Sequence, residues 1–271
     1  MQCTKRVAGS KTSKKLSIRS ILGFGRLKRN GPCNSSLSAL VVALVLVGPI
    51  EAAECHDLSF KRAVPERLPV DWKELTFPKI GRHTSYTVES HGNNLWVKAE
   101  SRDSASALVR EIQIDPRLYP ILRWRWRVEN ILQKGDARKR EGDDYPARVY
   151  VNFRYDPNNA SLWEKAQYAL ARSIYGEYPP KAALNYIWAN KIERGVAVDS
   201  TYTSRAKLIA VQSGPERIGR WISEERNIYK DYISYFGEEP PEVAAIAIMT
   251  DTDNTGEEAI AYYADIALCP K

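Results

Sequence analysis

The chain has 271 residues, 44% of them hydrophobic and 27% charged, enough for one large domain with a substantial core or for two small ones. Its 40 Lys and Arg against 33 Asp and Glu give a formal charge of +7, the kind of excess that usually points to nucleic acid. The distribution excludes that partner: the first 53 residues hold nine basic residues and one acidic one, and the remainder carries 31 against 32, a formal charge of −1.

Residues 1–53 have the order of an export leader. Basic residues precede the uncharged run 37–50 (LSALVVALVLVGPI), which falls short of the roughly 20 residues of a comfortable membrane span. Small residues at Ala52 and Ala53 suit cleavage and put the mature start near Glu54. The 36 residues ahead of the apolar core are long for a secretory n-region. Two readings of the leader therefore stand. Either it is a cleaved signal peptide and the chain is periplasmic or otherwise exported, or 37–53 is an inner-membrane anchor with Lys28 and Arg29 on the cytoplasmic side. Cys55 invites lipid attachment, but Glu54 occupies the position where a small residue is required. With the leader cleaved, 54–271 is a single domain without a membrane span. Its only cysteines, Cys55 and Cys269, can close one long loop in an oxidising compartment or remain two unrelated buried thiols.

Period-two alternation dominates this region. Strands are predicted over 84–89, 95–99, 108–114, 122–128, 148–155, 185–188, 206–212, 243–250 and 259–268, separated by Gly, Asn, Asp or Pro turns. Two stretches switch to helical spacing: 162–175, with Leu162, Ala166, Ala169, Leu170 and Ile174, and 224–236, with Ile228, Tyr232, Tyr235 and Phe236. The expected fold is mainly β, an antiparallel, jelly-roll-like sandwich with one or two inserted helices. In ILRWRWRV, Leu122, Trp124, Trp126 and Val128 share the core face while Arg123, Arg125 and Arg127 share the other. ARVYVNFRY splits in the same way, with Arg148, Tyr150, Asn152 and Arg154 opposite Val149, Val151, Phe153 and Tyr155. If these strands are neighbours, Arg123, Arg125, Arg148, Tyr150 and Arg154 form one ligand-binding patch; otherwise they are solvated faces salt-bridged to acidic neighbours.

Three clusters bear on chemistry. In DTDNTGEE (251–258) the oxygens of Asp251, Asp253, Asn254 and Glu258 make a candidate Ca²⁺ site, although the flanking strands and Tyr262 at the position of the bidentate Glu exclude an EF-hand. The competing reading is a hairpin turn, with Asn254 and Gly256 at positive φ and the acids capping backbone amides. In GDDYPAR (142–148), Asp143 and Asp144 beside Arg148 resemble an acid/base pair, yet consecutive side chains point apart and suit amide capping better. Asn227 and Asp231 share a helix face and read as structural. No zinc spacing, GxSxG elbow, phosphate loop or dinucleotide fingerprint is present, so no catalytic residue is assigned. Most of the Trp and Tyr fall on apolar faces and read as core; Trp188 and Trp221 are the two that can instead stack on a sugar.

WRWRV, GDDYPARVYVNF, LNYIWAN, the ERN followed by DY, and AIAIMTDTDNTGEEAIAYYADI together resemble the bacterial proteins of domain of unknown function 3047, over about 75–268. The resemblance implies an envelope location and a β-sandwich related to carbohydrate-binding jelly rolls, and supplies no catalytic residue. The expected function is a non-catalytic module binding a glycan or another polar envelope polymer. The alternatives are a polysaccharide hydrolase or lyase using Asp143, Asp144 or Asp253, and a scaffold binding another envelope protein through its sheet.

Overall fold

The computed structural model describes residues 54–271 apart from 62, 64–66, 93, 159, 161, 163–164, 166–167 and 170–178. The leader, and with it the cleavage and anchor readings, lies outside the described residues, as does most of the predicted helix 162–175. Glu51–Lys271 is one compact unit.

Thirteen strands follow one another among the described residues: β1 His56–Asp57, β2 Lys73–Thr76, β3 Ser85–His91, β4 Asn94–Arg102, β5 Ser106–Ile114, β6 Ile121–Val128, β7 Arg148–Phe153, β8 Ala182–Ala189, β9 Ala197–Ser200, β10 Thr203–Ser213, β11 Ile222–Asn227, β12 Val243–Met249 and β13 Glu258–Cys269. They form two sheets. One runs β11-β6-β13-β4-β3, with β1 also paired to β13, and the other runs β2-β5-β12-β7-β8-β10-β9. All nine predicted strands are present. The fold is the expected antiparallel β-sandwich, with one parallel pairing, between β8 and β10, in the seven-stranded sheet. The predicted helix 224–236 is corrected at its start. Ile222–Asn227 is a strand at the sheet edge, and the helix spans Ile228–Phe236. Asn227 marks the changeover by accepting the Lys230 N–H at 2.9 Å, an N-cap that satisfies an otherwise unpaired helical amide.

The alternation read in β6 holds: Trp124 and Trp126 are fully buried. Across the interior Trp124 stacks on Tyr186 of β8 with centroids 5.4 Å apart, and Trp126 meets Trp188 at 5.9 Å. Trp188 is thus core rather than a sugar platform. These aromatic contacts tie the two sheets together, and each adds about 0.5–1.5 kcal/mol beyond the area it buries. Cys55 and Cys269 form the disulfide, joining residues 214 apart in sequence beside the β1–β13 pairing.

β6 belongs to the six-stranded sheet and β7 to the seven-stranded sheet, so the two polar faces do not adjoin. Each is the outer face of its own layer.

Candidate functional site

A cleft of about 880 Å³ opens on the outer face of the seven-stranded sheet. Its floor follows from strand register. Tyr150 pairs with Asn185 across β7 and β8, and Asn185 pairs with Leu208 across β8 and β10, so these three side chains stand in one row on the face opposite the core residues Val149, Val151, Leu184 and Tyr186. The 77–80 segment forms one wall, with Phe77 and Ile80 packed near Tyr150 and Met249, and Ser200 and Tyr202 line another side. None of the described residues between 157 and 180 lines the cleft.

At one end of the cleft two loops meet. The loop entering β7 brings Asp143 and Asp144; the loop leaving β12 brings Asp251, Asp253 and Asn254. That second loop crosses from one sheet to the other instead of closing a hairpin, because β12 and β13 lie in different layers. Of the two residues expected at positive φ only Gly256 has it, at 67°. The acid that caps the loop comes from the other cluster: Asp144 accepts the Asn254 N–H at 3.3 Å and the Thr255 N–H at 2.6 Å. Asp143 accepts the Tyr145 hydroxyl at 3.0 Å, and its Oδ1 lies 3.8 Å from Arg148 Nη1.

Arg148 binds the two loops together. It is 4% exposed, donates from Nε to Asp251 Oδ1 at 2.7 Å, contacts Asp251 Oδ2 through Nη2, and donates to the Asp143 carbonyl at 3.0 Å. Tyr145 and Tyr150 flank the guanidinium, their ring centres 4.6 and 5.7 Å away. Burial opposes its charge, but the surrounding Tyr150 and Asp143 outweigh that and hold it above its ordinary pKa. Burial pushes the Asp143 carboxyl up despite Arg148, and burial together with the Asp144 charge does the same to Asp253. The Tyr150 hydroxyl is likewise raised by burial.

The five predicted ligand contacts separate into three places. Arg148 and Tyr150 line the cleft. Arg154 lies at the other end of β7, paired with Glu242 at 3.7 Å. Arg123 and Arg125 are on the outer face of the six-stranded sheet, where Arg123 pairs with Glu225 at 2.8 Å and Arg125 with Asp265. Of the four predicted metal ligands, Asp251, Asp253 and Asn254 line the cleft, whereas Glu258 is turned outward beside Arg102 at 3.8 Å. Trp221 stays half-buried on the six-stranded sheet, 5.3 Å from Arg125 and 5.8 Å from Trp96. Asn227 and Asp231 are structural: Asp231 accepts from Arg226 at 2.9 and 2.8 Å and from the Tyr186 hydroxyl at 2.7 Å.

Sequence reasoning missed Asn185. It is 2% exposed, lines the cleft, and its Oδ1 has no hydrogen-bond partner among the described residues. A lone amide in the apolar strand AALNYIWA was the available signal.

The fold and cleft together define a two-layer β-sandwich whose seven-stranded sheet carries a groove floored by Tyr150, Asn185 and Leu208. Residues 70–267 match the family described as "Protein of unknown function (DUF3047)", and the chain belongs to that family. No curated protein matches it. Among solved structures it is similar to the family 11 carbohydrate-binding module of the cellulosomal cellulase Lic26A-Cel5E of Clostridium thermocellum, at 9% identity over 82% of this chain and 97% of that one, with a TM-score of 0.40. It is similar to a family 11 module from Clostridium thermocellum in complex with a β-1,3-1,4-mixed-linked tetrasaccharide, at 9% identity over 81% and 98%, TM-score 0.36. A third similarity is to endoglucanase 3 of Trichoderma harzianum from family GH12, at 8% identity over 74% and 98%, TM-score 0.36.

Proposed function

We propose that the protein is an exported module that binds a glycan of the cell envelope in the cleft on its seven-stranded sheet. The observation that carries this reading is the buried Asn185 Oδ1, an acceptor without a partner among the described residues, in the same cross-strand row as Tyr150. An unpaired buried acceptor is costly, and a ligand hydroxyl is the donor that relieves it. A pyranose also presents C–H faces that pack on aromatic rings, which Tyr150, Tyr202 and Phe77 offer around the same space. Export is supported by the leader pattern and by the Cys55–Cys269 bridge, since disulfides persist in oxidising compartments. Among the described residues no helix is long and apolar enough to cross a membrane.

The test is a glycan array followed by titration calorimetry. Tyr150→Ala and Asn185→Ala should each weaken the captured glycan about tenfold or more, and Arg123→Ala or Arg154→Ala should leave it unchanged. Loss of binding with Arg123→Ala but not with Asn185→Ala would move the site to the other sheet and end this reading.

A polysaccharide hydrolase or lyase is the second reading, favoured by Asp143 and Asp253 reaching one cleft from separate loops. Release of new reducing ends from the bound polymer, abolished by Asp143→Asn, distinguishes catalysis from binding alone.

A further inference from the structure

The acidic end of the cleft has chemistry that glycan binding does not use. Asp144, Asp251 and Asp253 each place a carboxylate oxygen within 4.8 Å of the others, and Asp144 and Asp251 are almost fully buried. Among the described residues one guanidinium serves this group, and it is committed: Arg148 is held by Asp251 and by the Asp143 carbonyl. Among the described residues Asp144 receives only backbone amides, from Asn254 and Thr255. Carboxylates gathered this closely in a partly dry site repel one another strongly unless a cation sits among them.

A second observation points to a ligand in the same space. Thr255 is 6% exposed, its N–H is held by Asp144, and its hydroxyl oxygen has no partner among the described residues. The side chains on offer are oxygen donors, with no His or Cys among the cleft residues. That set suits a hard ion and not zinc or copper.

We infer that Asp144, Asp251 and Asp253 form a divalent-cation site, for Ca²⁺ in preference to Mg²⁺, which clamps the loop before β7 to the loop after β12 and fixes one end of the cleft. Ca²⁺ accepts six to eight oxygens in flexible geometry, so three carboxylates can be completed by carbonyls and water without the octahedron that Mg²⁺ demands. Glu258, turned out beside Arg102, takes no part. The inference does not depend on the glycan reading, because cation binding is read directly.

The experiment is thermal unfolding and titration calorimetry of the full chain in chelator, then with millimolar Ca²⁺ or Mg²⁺. Saturation at about a hundredfold over the dissociation constant should raise Tm by about 5–10 °C. Asp253 is half-buried, so Asp253→Asn is the variant that keeps the fold. It should be more stable than the wild type in chelator, where repulsion is relieved, and less stable in Ca²⁺, with the binding heat lost. Glu258→Gln should respond to Ca²⁺ as the wild type does. The inference is overturned by the lack of any Ca²⁺ shift in the wild type, by an undiminished shift in Asp253→Asn, or by equal displacement of that variant in chelator and Ca²⁺.

Discussion

Replacing Arg148 with Met removes the charge that joins the two loops while keeping a flexible apolar stem of similar reach. Arg148 is 4% exposed and its principal partner Asp251 is 1% exposed, so neither charge is screened by solvent. Taking one member from a buried pair leaves the other uncompensated, at a cost of about 3–5 kcal/mol. Loss of the cation–π contact with Tyr145, 4.6 Å from the guanidinium, adds up to about 2 kcal/mol, partly recovered by thioether packing against the same ring. A domain of this size loses about 2–4 °C per kcal/mol. The Tm of Arg148→Met, measured by calorimetry in chelator, should therefore fall by about 6–20 °C. Adding Asp251→Asn to that variant removes the orphaned charge and should restore part of the loss, a coupling of at least about 1 kcal/mol. A single variant within about 3 °C of the wild type, or a double variant no more stable than the single one, refutes the account of Arg148 as the tie between the loops.

Two other perturbations have defined outcomes. Burial lifts the Glu224 carboxyl above its ordinary value of 4.5, against the pull of Gln212 and Trp126. A raised carboxyl holds its proton more tightly in the folded state, so stability is lost as pH climbs from the unfolded value towards the folded one. Glu224→Gln keeps an amide contact to Gln212, 2.6 Å away in the wild type, and removes the titration. Its stability relative to wild type should improve between pH 4 and pH 7 in urea denaturation, and an equal difference at both pH values would contradict the burial argument. Reducing the Cys55–Cys269 bridge, which spans 214 residues, removes a constraint worth about 5 kcal/mol on the chain-entropy model and should lower Tm by about 10–20 °C. A reduced protein melting with the oxidised one would show that the β1–β13 pairing alone holds the termini.

The strands that sequence alone shows are those with one face in the core. ILRWRWRV and ARVYVNF alternate because Trp124, Trp126, Val149 and Val151 enter the interior and their neighbours do not. The strands that were missed lack this imprint. All four residues of β2 (KELT) are exposed, and β11 (ISEERN) is a polar edge strand whose acids imitate a helix start. The site was half legible for a related reason. GDDYPAR and DTDNTG each stood out by composition, but Asp144 and Thr255, hydrogen-bonded in the fold, are 111 residues apart in sequence. Only the strand order, which sets β7 beside β12, brings the loops together, and alternation does not encode strand order.

Strand order also puts the two polar faces on different sheets, and they differ in how their charges are met. The outer face of the six-stranded sheet is rich in Arg and aromatic groups, yet four of its cations are already paired with acids, although Arg127 Nε has no hydrogen-bond partner among the described residues. Arg123 faces Glu225, Arg125 faces Asp265, Arg127 faces Glu129 and Lys98 faces Glu100. The exposed pair Arg123–Glu225 contributes about 0–1 kcal/mol, so it neither holds the sheet nor obliges a ligand to bind. A polymer lying there would have to separate neighbouring charges and gains only what it takes from them. In the cleft the balance is reversed. The Asn185 acceptor has no protein partner among the described residues, and of the three clustered carboxylates Arg148 bonds that of Asp251 alone among the described residues. A donor or cation arriving there would relieve a cost the fold already bears, which is why the proposed site lies on the face with fewer arginines.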